Sequence, residues 1–295
     1  MSLVHRSIMT AAILGFAAPA LACDPQISRV DGPVNDSYEP FSPDAATYPL
    51  NITITNRDEA ACDLRAVAIG TMSGARRLIG ASSRAQLGYE IFGEQVIRLP
   101  NEQAPGFGLP ILIAGRQEIV LRLQVRVRPG QVVPSGIYDE NVELLLLGST
   151  GDVREQRRFP LRLRVEARAQ VNLAGTAGIF SNGARSAVLD LGELKDGTAN
   201  SIFIQLRANE PVRVRLLSQN KGDLINVEQP KERIPYQLVV DGTPVDMSGP
   251  ADLRRSPPRS LDGASYRAVA TVPVVGNRFA GEYRDLISIS VEATP

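Results

Sequence analysis

The chain has 295 residues, with 32 basic and 32 acidic side chains, one histidine and no tryptophan. A formal charge of zero makes neither nucleic acid nor an anionic membrane an expected partner. The one histidine, His5, lies in an N-terminal leader, so the remaining chain has none to build a Ser-His-Asp or Cys-His set or a histidine metal site. The expectation is a protein that is not an enzyme and carries no cofactor or metal.

The leader comes first in the chain. His5 and Arg6 precede an apolar run from Ile8 to Ala18, and Ala20-Leu21-Ala22 is an A-x-A cleavage site. Residues 1–22 read as a signal peptide, with the mature chain starting at Cys23. A cysteine directly after the site also admits lipidation, although Ala20 stands where that motif wants leucine. No later segment approaches the roughly 20 apolar residues of a membrane helix, so a membrane-spanning protein is not expected. The chain's two cysteines, Cys23 and Cys62, are expected to form a disulfide in an exported protein.

Period-two alternation then dominates. Leu50, Ile52 and Ile54 alternate with Asn51, Thr53 and Thr55. Ile119, Leu121, Leu123, Val125 and Val127 alternate with Arg122, Gln124, Arg126 and Arg128. Phe159, Leu161, Leu163 and Val165 follow the same rule, as do Val212, Val214 and Leu216, and finally Ile287, Ile289 and Val291. Successive strand side chains point to opposite faces, so each run has one core face and one wet face. The expected fold is all-β: two Ig-like, pilin-type antiparallel sandwiches in tandem.

The chain also repeats itself. Leu50 to Ala68 resembles Ile202 to Ser218, Tyr89-Glu90-Ile91 resembles Tyr236-Gln237-Leu238, and Gly136-Ile137-Tyr138-Asp139 resembles Gly281-Glu282-Tyr283-Arg284-Asp285. This reads as two copies of one domain, residues 23–171 and 178–295, joined by a linker at 172–177. In the first copy Tyr138 is followed directly by Asp139, without the residue that separates Tyr283 from Asp285.

The second copy resembles the spore coat protein U domain, the pilin domain of archaic (Csu-type) chaperone–usher pili. The residues carrying the resemblance are Leu189-Asp190-Leu191-Gly192-Glu193-Leu194, Ala208-Asn209-Glu210-Pro211-Val212-Arg213-Val214, Leu217 to Leu224, Ile234 to Leu238 and Gly281 to Asp285. Tyr38-Glu39-Pro40-Phe41 after Cys23 fits the first copy. The resemblance implies an incomplete sandwich whose groove a neighbouring subunit's strand fills, after a periplasmic chaperone has held it open and an outer-membrane usher has received it. Two-domain members of that family sit at the pilus tip and carry adhesion to host or abiotic surfaces, and biofilm formation, in their first domain. Strand accounting agrees. The first copy continues past Val142–Leu147 into Phe159–Val165, whereas the second reads no further strand after Leu286–Val291, so it is expected to lack its last strand and to expose an edge. The candidate groove residues are Ile202, Ile204, Leu206, Ile287, Ile289 and Val291. Cleavage before Cys23 leaves no segment to donate, so the subunit is expected to end a fibre. A secreted coat or matrix protein of the same family, or a non-tip pilus subunit, is the alternative.

Other features have two readings each. Phe107, Leu109, Pro110 and Ile111, in the apolar stretch 105–113, form either a surface-binding loop or the entry to a core strand. Arg122, Arg126, Arg128, Arg162 and Arg164 form either an anion-binding face or an ordinary solvated one. Tyr138 and Tyr283 read as structural corner tyrosines. Asp58, Glu59 and Asp63 lack the spacing of a calcium loop.

Overall fold

The computed structural model describes residues 23–70, 75–94, 97–104, 106–181 and 185–295. The expected signal peptide, residues 1–22, lies outside them. The described chain is all-β, with no α-helix, and its buried side chains fall into two main clusters, one per half.

The first half holds β1 (Pro25–Asp31), β2 (Asp36–Tyr38), β3 (Ala46–Asn56), β4 (Cys62–Ile69), β5 (Arg77–Gly80), β6 (Gln86–Phe92), β7 (Leu109–Ile113), β8 (Glu118–Val127), β9 (Gly136–Leu147) and β10 (Val153–Val165). They hydrogen-bond in the order β1-β3-β8-β6-β5-β9-β10-β2, with β4 between β9 and β7. The sheet folds over on itself. At its ends the Ile27 amide donates to the Glu155 carboxylate (3.4 Å), and the Arg157 guanidinium donates to the Ile27 carbonyl (2.6 Å). The two layers meet over one core. A Cβ built on Gly32 would touch both Leu50 of β3 and Leu161 of β10, at 3.1 and 3.3 Å.

This layering separates the five arginines. Arg122 and Arg126 alternate out of β8, with Arg128 exposed just past its end, and Arg162 and Arg164 alternate out of β10. The core sides of these strands face each other, so the arginines point to opposite sides of the domain and do not share a face. β10 closes the domain from within. It pairs antiparallel with β9 from Val153 to Val165, and its other edge pairs in parallel with β2.

The second half holds β11 (Ala169–Ala174), β12 (Thr198–Ala208), β13 (Val212–Ser218), β14 (Asp223–Asn226), β15 (Arg233–Pro235), β16 (Gln237–Val240), β17 (Thr243–Val245), β18 (Ala251–Arg255), β19 (Ala264–Val272), β20 (Tyr283–Arg284) and β21 (Ile287–Ala293). One layer runs β11-β12-β19-β16-β17, and the other is built from β18-β13-β21 and β15-β14-β20. β11 corrects the expected boundary, because the linker proposed at 172–177 cuts through it. Asn172, Leu173 and Ala174 pair with Gln205, Ile204 and Phe203. Val171 and Leu173 pack on the second core, a two-residue alternation too short to stand out beside Gly175. Asn209 ties the halves together, its side-chain amide donating to the carbonyls of Val133 (3.1 Å) and Glu166 (2.8 Å).

A disulfide joins Cys23 to Cys62, with Cα atoms 5.2 Å apart, and pins the start of β1 beside β4. Closing a loop of 39 residues removes unfolded-state entropy worth about 4 kcal/mol in the chain-entropy model. Replacing both cysteines by serine should lower the first domain's unfolding free energy by about that amount in denaturant titrations. An unchanged midpoint would show that the bridge contributes nothing.

Candidate functional site

The two halves differ most at their last strands. In the first half, β9 lies between β4 and β10. In the second, β21 pairs with β13 on one side, and among the described residues no strand pairs with its other edge. The register says which peptide groups are left over. The Gln219 amide donates to the Leu286 carbonyl (2.9 Å) and the Thr294 amide to the Pro211 carbonyl (2.7 Å). Hydrogen-bonded residues alternate along an antiparallel ladder, so Leu286, Ser288, Ser290, Glu292 and Thr294 turn their backbone toward β13. Ile287, Ile289, Val291 and Ala293 then turn theirs toward the open edge.

Across from that edge runs residues 186–194. Residues 188–191 alternate like a strand: Leu189 and Leu191 pack on the core, while Val188 and Asp190 face out; Leu194 packs on the core past the break at Gly192 and Glu193. Among the described residues the segment nevertheless pairs with no strand. Its ties are local: the Asn200 side-chain amide donates to the Asp190 carbonyl (2.6 Å), and the Lys195 amide donates to the Thr198 hydroxyl (2.9 Å).

Between the two edges lies a cleft of about 960 Å³. One wall is β21 and the residues before it, and the other is the 187–194 segment. The floor comes from Ile202 and Ile204 of β12, Ala268 and Ala270 of β19, and Leu238 of β16. Of the six expected groove residues, Ile202, Ile204, Ile287 and Ile289 line the cleft. Leu206 is buried in the core beside it, and Val291 packs against that core beyond the cleft's end.

Residues at the mouth hold β21 in place. The Asp285 carboxylate accepts from the Tyr236 hydroxyl (2.6 Å), the Ser218 hydroxyl (2.6 Å) and the amides of Asn220 (3.0 Å) and Leu286 (2.8 Å). Burial, and then the bond to Asp285, hold the Tyr236 phenol above its ordinary range. The Tyr283 hydroxyl donates to the Phe279 carbonyl four residues back (2.8 Å). The same construction stands in the first domain. Tyr138 donates to the Pro134 carbonyl, also four residues back (2.8 Å), and the Tyr89 hydroxyl donates to the Glu140 carboxylate (2.6 Å). Glu140, not Asp139, is therefore the acid equivalent to Asp285. Gly136 and Gly281 both adopt positive φ, at 133° and 148°. With Gly136, Tyr138 and Glu140 set on Gly281, Tyr283 and Asp285, the spacing is identical, and the departure noted from Asp139 disappears.

The candidate surface loop is split. Phe107 is 60% exposed and Pro110 is exposed, but Leu109 packs against the core and Ile111 is buried. Ile111 pairs with Leu64, and alternation along β7 turns Ile111 and Ile113 inward. The same alternation brings out a residue the sequence reading missed: Leu112, 74% exposed on the side of Pro110. Pro105 lies outside the described residues. Among the described residues no three of histidine, cysteine, aspartate and glutamate gather as a metal group, and no helix is long and apolar enough to cross a membrane.

No protein-family model and no curated protein sequence matches the chain, so the spore-coat-U resemblance rests on the residues quoted for it. Solved structures with similar folds include a chain of the CsuC–CsuE chaperone–tip adhesion subunit pre-assembly complex of Acinetobacter baumannii, at 11% identity and a TM-score of 0.45, covering 90% of this chain and 100% of that one. The CupB6 tip adhesin of Pseudomonas aeruginosa matches at 12% identity and a TM-score of 0.40, over 91% of this chain and 94% of its own. The CfaE adhesin of enterotoxigenic E. coli matches at 10% and 0.38, over 90% and 94%. At these identities and scores the likeness is one of overall shape and assigns neither family nor activity.

Replacing Asp285 by alanine should cost the second domain about 2–4 kcal/mol, because it strands two hydroxyls and two amides that the carboxylate now satisfies. The pH dependence follows from Tyr236. Its folded pKa is raised, so the neutral phenol's contribution is complete below the ordinary tyrosine pKa of about 10 and is lost as pH rises through the folded value. Thermal melts should therefore fall at alkaline pH, and Tyr236→Phe should flatten that fall. A melt unchanged by Asp285→Ala would remove the anchor from the account.

Proposed function

We propose that the chain is the tip subunit of a chaperone–usher pilus, a non-catalytic attachment protein. Its second domain accepts a strand from an adjacent pilin, and its first contacts the surface. The observation that carries the reading is the cleft flanked by two unpaired, strand-like edges. Each edge presents backbone groups that need partners, and the floor between them is apolar. A single inserted strand would pair with both edges and cover the floor together. Four or five aliphatic side chains buried there would contribute about 1.5–3 kcal/mol each, before ordering costs. A periplasmic chaperone would fill the same cleft until an outer-membrane usher exchanged it for the pilin strand, leaving the protein at the cell surface.

The first domain, closed by its own β10, is free to attach to an abiotic or host surface and so to support biofilm. Phe107 and Leu112 are its candidate contacts. One exposed side chain buried on a hydrophobic surface yields about 1.5–3 kcal/mol, so firm attachment would need many tips acting together.

Calorimetry on the full exported chain, purified without partners, tests the acceptor reading. Two transitions are expected: a high one for the closed domain, and a low one that rises when a peptide of alternating apolar residues is added. A single cooperative transition indifferent to such peptides would overturn the reading and favour a self-sufficient coat or matrix protein. For attachment, Phe107→Ser with Leu112→Ser should abolish binding to hydrophobic surfaces while leaving the high transition unchanged. Ile111→Ala should instead lower that transition, by about 2–5 kcal/mol in stability, as a core deletion does.

A further inference from the structure

The first domain is an internal picture of the filled cleft. Gly136, Tyr138 and Glu140 correspond to Gly281, Tyr283 and Asp285, so Val142 and Leu144 correspond to Ile287 and Ile289. The hydrogen bonding agrees: Ala81 donates to the Ile137 carbonyl (3.0 Å) and Val227 to the Glu282 carbonyl (2.8 Å), at matching positions. The opposite wall corresponds too. The Tyr48 hydroxyl donates to the Ser37 carbonyl in β2 (2.8 Å), and the Asn200 amide donates to Asp190 in the 186–194 segment. β10 lies between β9 and β2 in the first domain. The empty position between β21 and residues 189–191 is its counterpart.

The floors differ, and two independent registers locate the difference. Leu50 pairs with Leu123 and Tyr48 with Val125, where Ile202 pairs with Ala268 and Asn200 with Ala270. Ile91 pairs with Val125, where Leu238 pairs with Ala270. Leu123 and Val125 are thus replaced by Ala268 and Ala270, and Tyr48 by Asn200. In the first domain, Leu161 of β10 covers this place, since Leu161 and Leu50 crowd the same point above Gly32. Leu163 follows toward Tyr48, whose hydroxyl reaches Ser37, the residue paired with Arg164. The facing wall does gain bulk, from Ala68 to Leu216 and Ala66 to Val214. Those residues lie beside Ile289 and Val291, farther along β21 than the stretch facing Ala268 and Ala270.

We infer that the strand this cleft takes runs antiparallel to β21 in the register of β10 on β9. At the positions of Leu161 and Leu163 it carries side chains larger than leucine, which fill the space above Ala268 and Ala270. The inference rests on the acceptor reading and adds orientation, register and residue size to it. Ala268 and Ala270 become the residues that select the partner.

The test grafts residues 148–165 after Glu292 of the full chain, the position matching Leu147, so that the chain supplies its own strand. Register is read by oxidation of Ser288→Cys with Arg158→Cys in the graft. That pair is outward-facing and not hydrogen-bonded to each other, at a Cα spacing a disulfide accepts. It should crosslink, while Gln156→Cys or Pro160→Cys in the graft should not. Size is read by the second transition. Leu161→Phe with Leu163→Phe in the graft should raise its Tm by about 4 °C or more over the unmodified graft. With Ala268→Leu and Ala270→Val in the host, the order should reverse. A crosslink at a shifted position, or a leucine graft at least as stable as the phenylalanine one on the native floor, would overturn the inference while leaving the acceptor reading intact. If no graft in any register moves the second transition, the acceptor reading itself fails.

Discussion

The backbone groups of Ile287, Ile289 and Val291 have to be hydrogen-bonded to something. In water they can be, but their side chains then stand over an apolar cleft that water solvates poorly, and the two requirements pull against each other. A strand laid along the edge meets both at once, because its peptide groups face β21 and its alternate side chains face the floor. In the first domain β10 does this within the chain. Among the described residues the second domain repeats the framework without it, and the open cleft, the unpaired 186–194 segment and the half-buried state of β21 all accompany that one difference.

Most of the strands were legible in the sequence because each buries one face. The runs at Leu50, Leu123, Leu161, Val214 and Ile289 keep strict alternation wherever one side meets a core, and a one-residue slip would expose all of it. Less legible was anything that depended on which strands share a layer. The arginines of β8 and β10 look alike in sequence, yet a folded-over sheet sends them to opposite sides. Ile111 reads either as part of a surface loop or as the entry to a core strand until β4 is known to lie beside it, and Leu112 hides in the same stretch for the same reason. β11 was lost because Val171 and Leu173 supply too short an alternation before Gly175.

The acid–tyrosine pair illustrates a different limit. Asp285 is recognisable from its motif, but the nearer acid, Asp139, reads as its first-domain counterpart. The Tyr89 hydroxyl and the Arg77 amide, both donating to Glu140, decide between two adjacent carboxylates. The choice also explains the surroundings of Arg76, a buried guanidinium that donates to the carbonyls of Leu99 and Pro100. Burial lowers its pKa, and the nearby Glu90 and Glu140 carboxylates work in the other direction. The second domain has Ser218 and backbone amides around Asp285 instead.

That anchor bears on how an open cleft can bind well. A strand edge left to itself frays, and a partner would then have to order it on arrival, at a cost of about 1–2 kcal/mol per residue fixed. Here Asp285 fastens the start of β21 to the 218–222 turn and to Tyr236, Tyr283 closes the turn before it, and β13 holds its inner edge along its whole length. The edge is therefore presented already extended and in register. On the proposed reading, a partner strand would have its own ordering left to offset but little of the acceptor's, and pre-ordering of this kind raises affinity without any added contact. On the same reading, this rigidity would make size at the floor decisive. A wall that could collapse onto Ala268 and Ala270 would accept leucine and phenylalanine alike, whereas a wall held by four hydrogen bonds at its base leaves the space to be filled from outside.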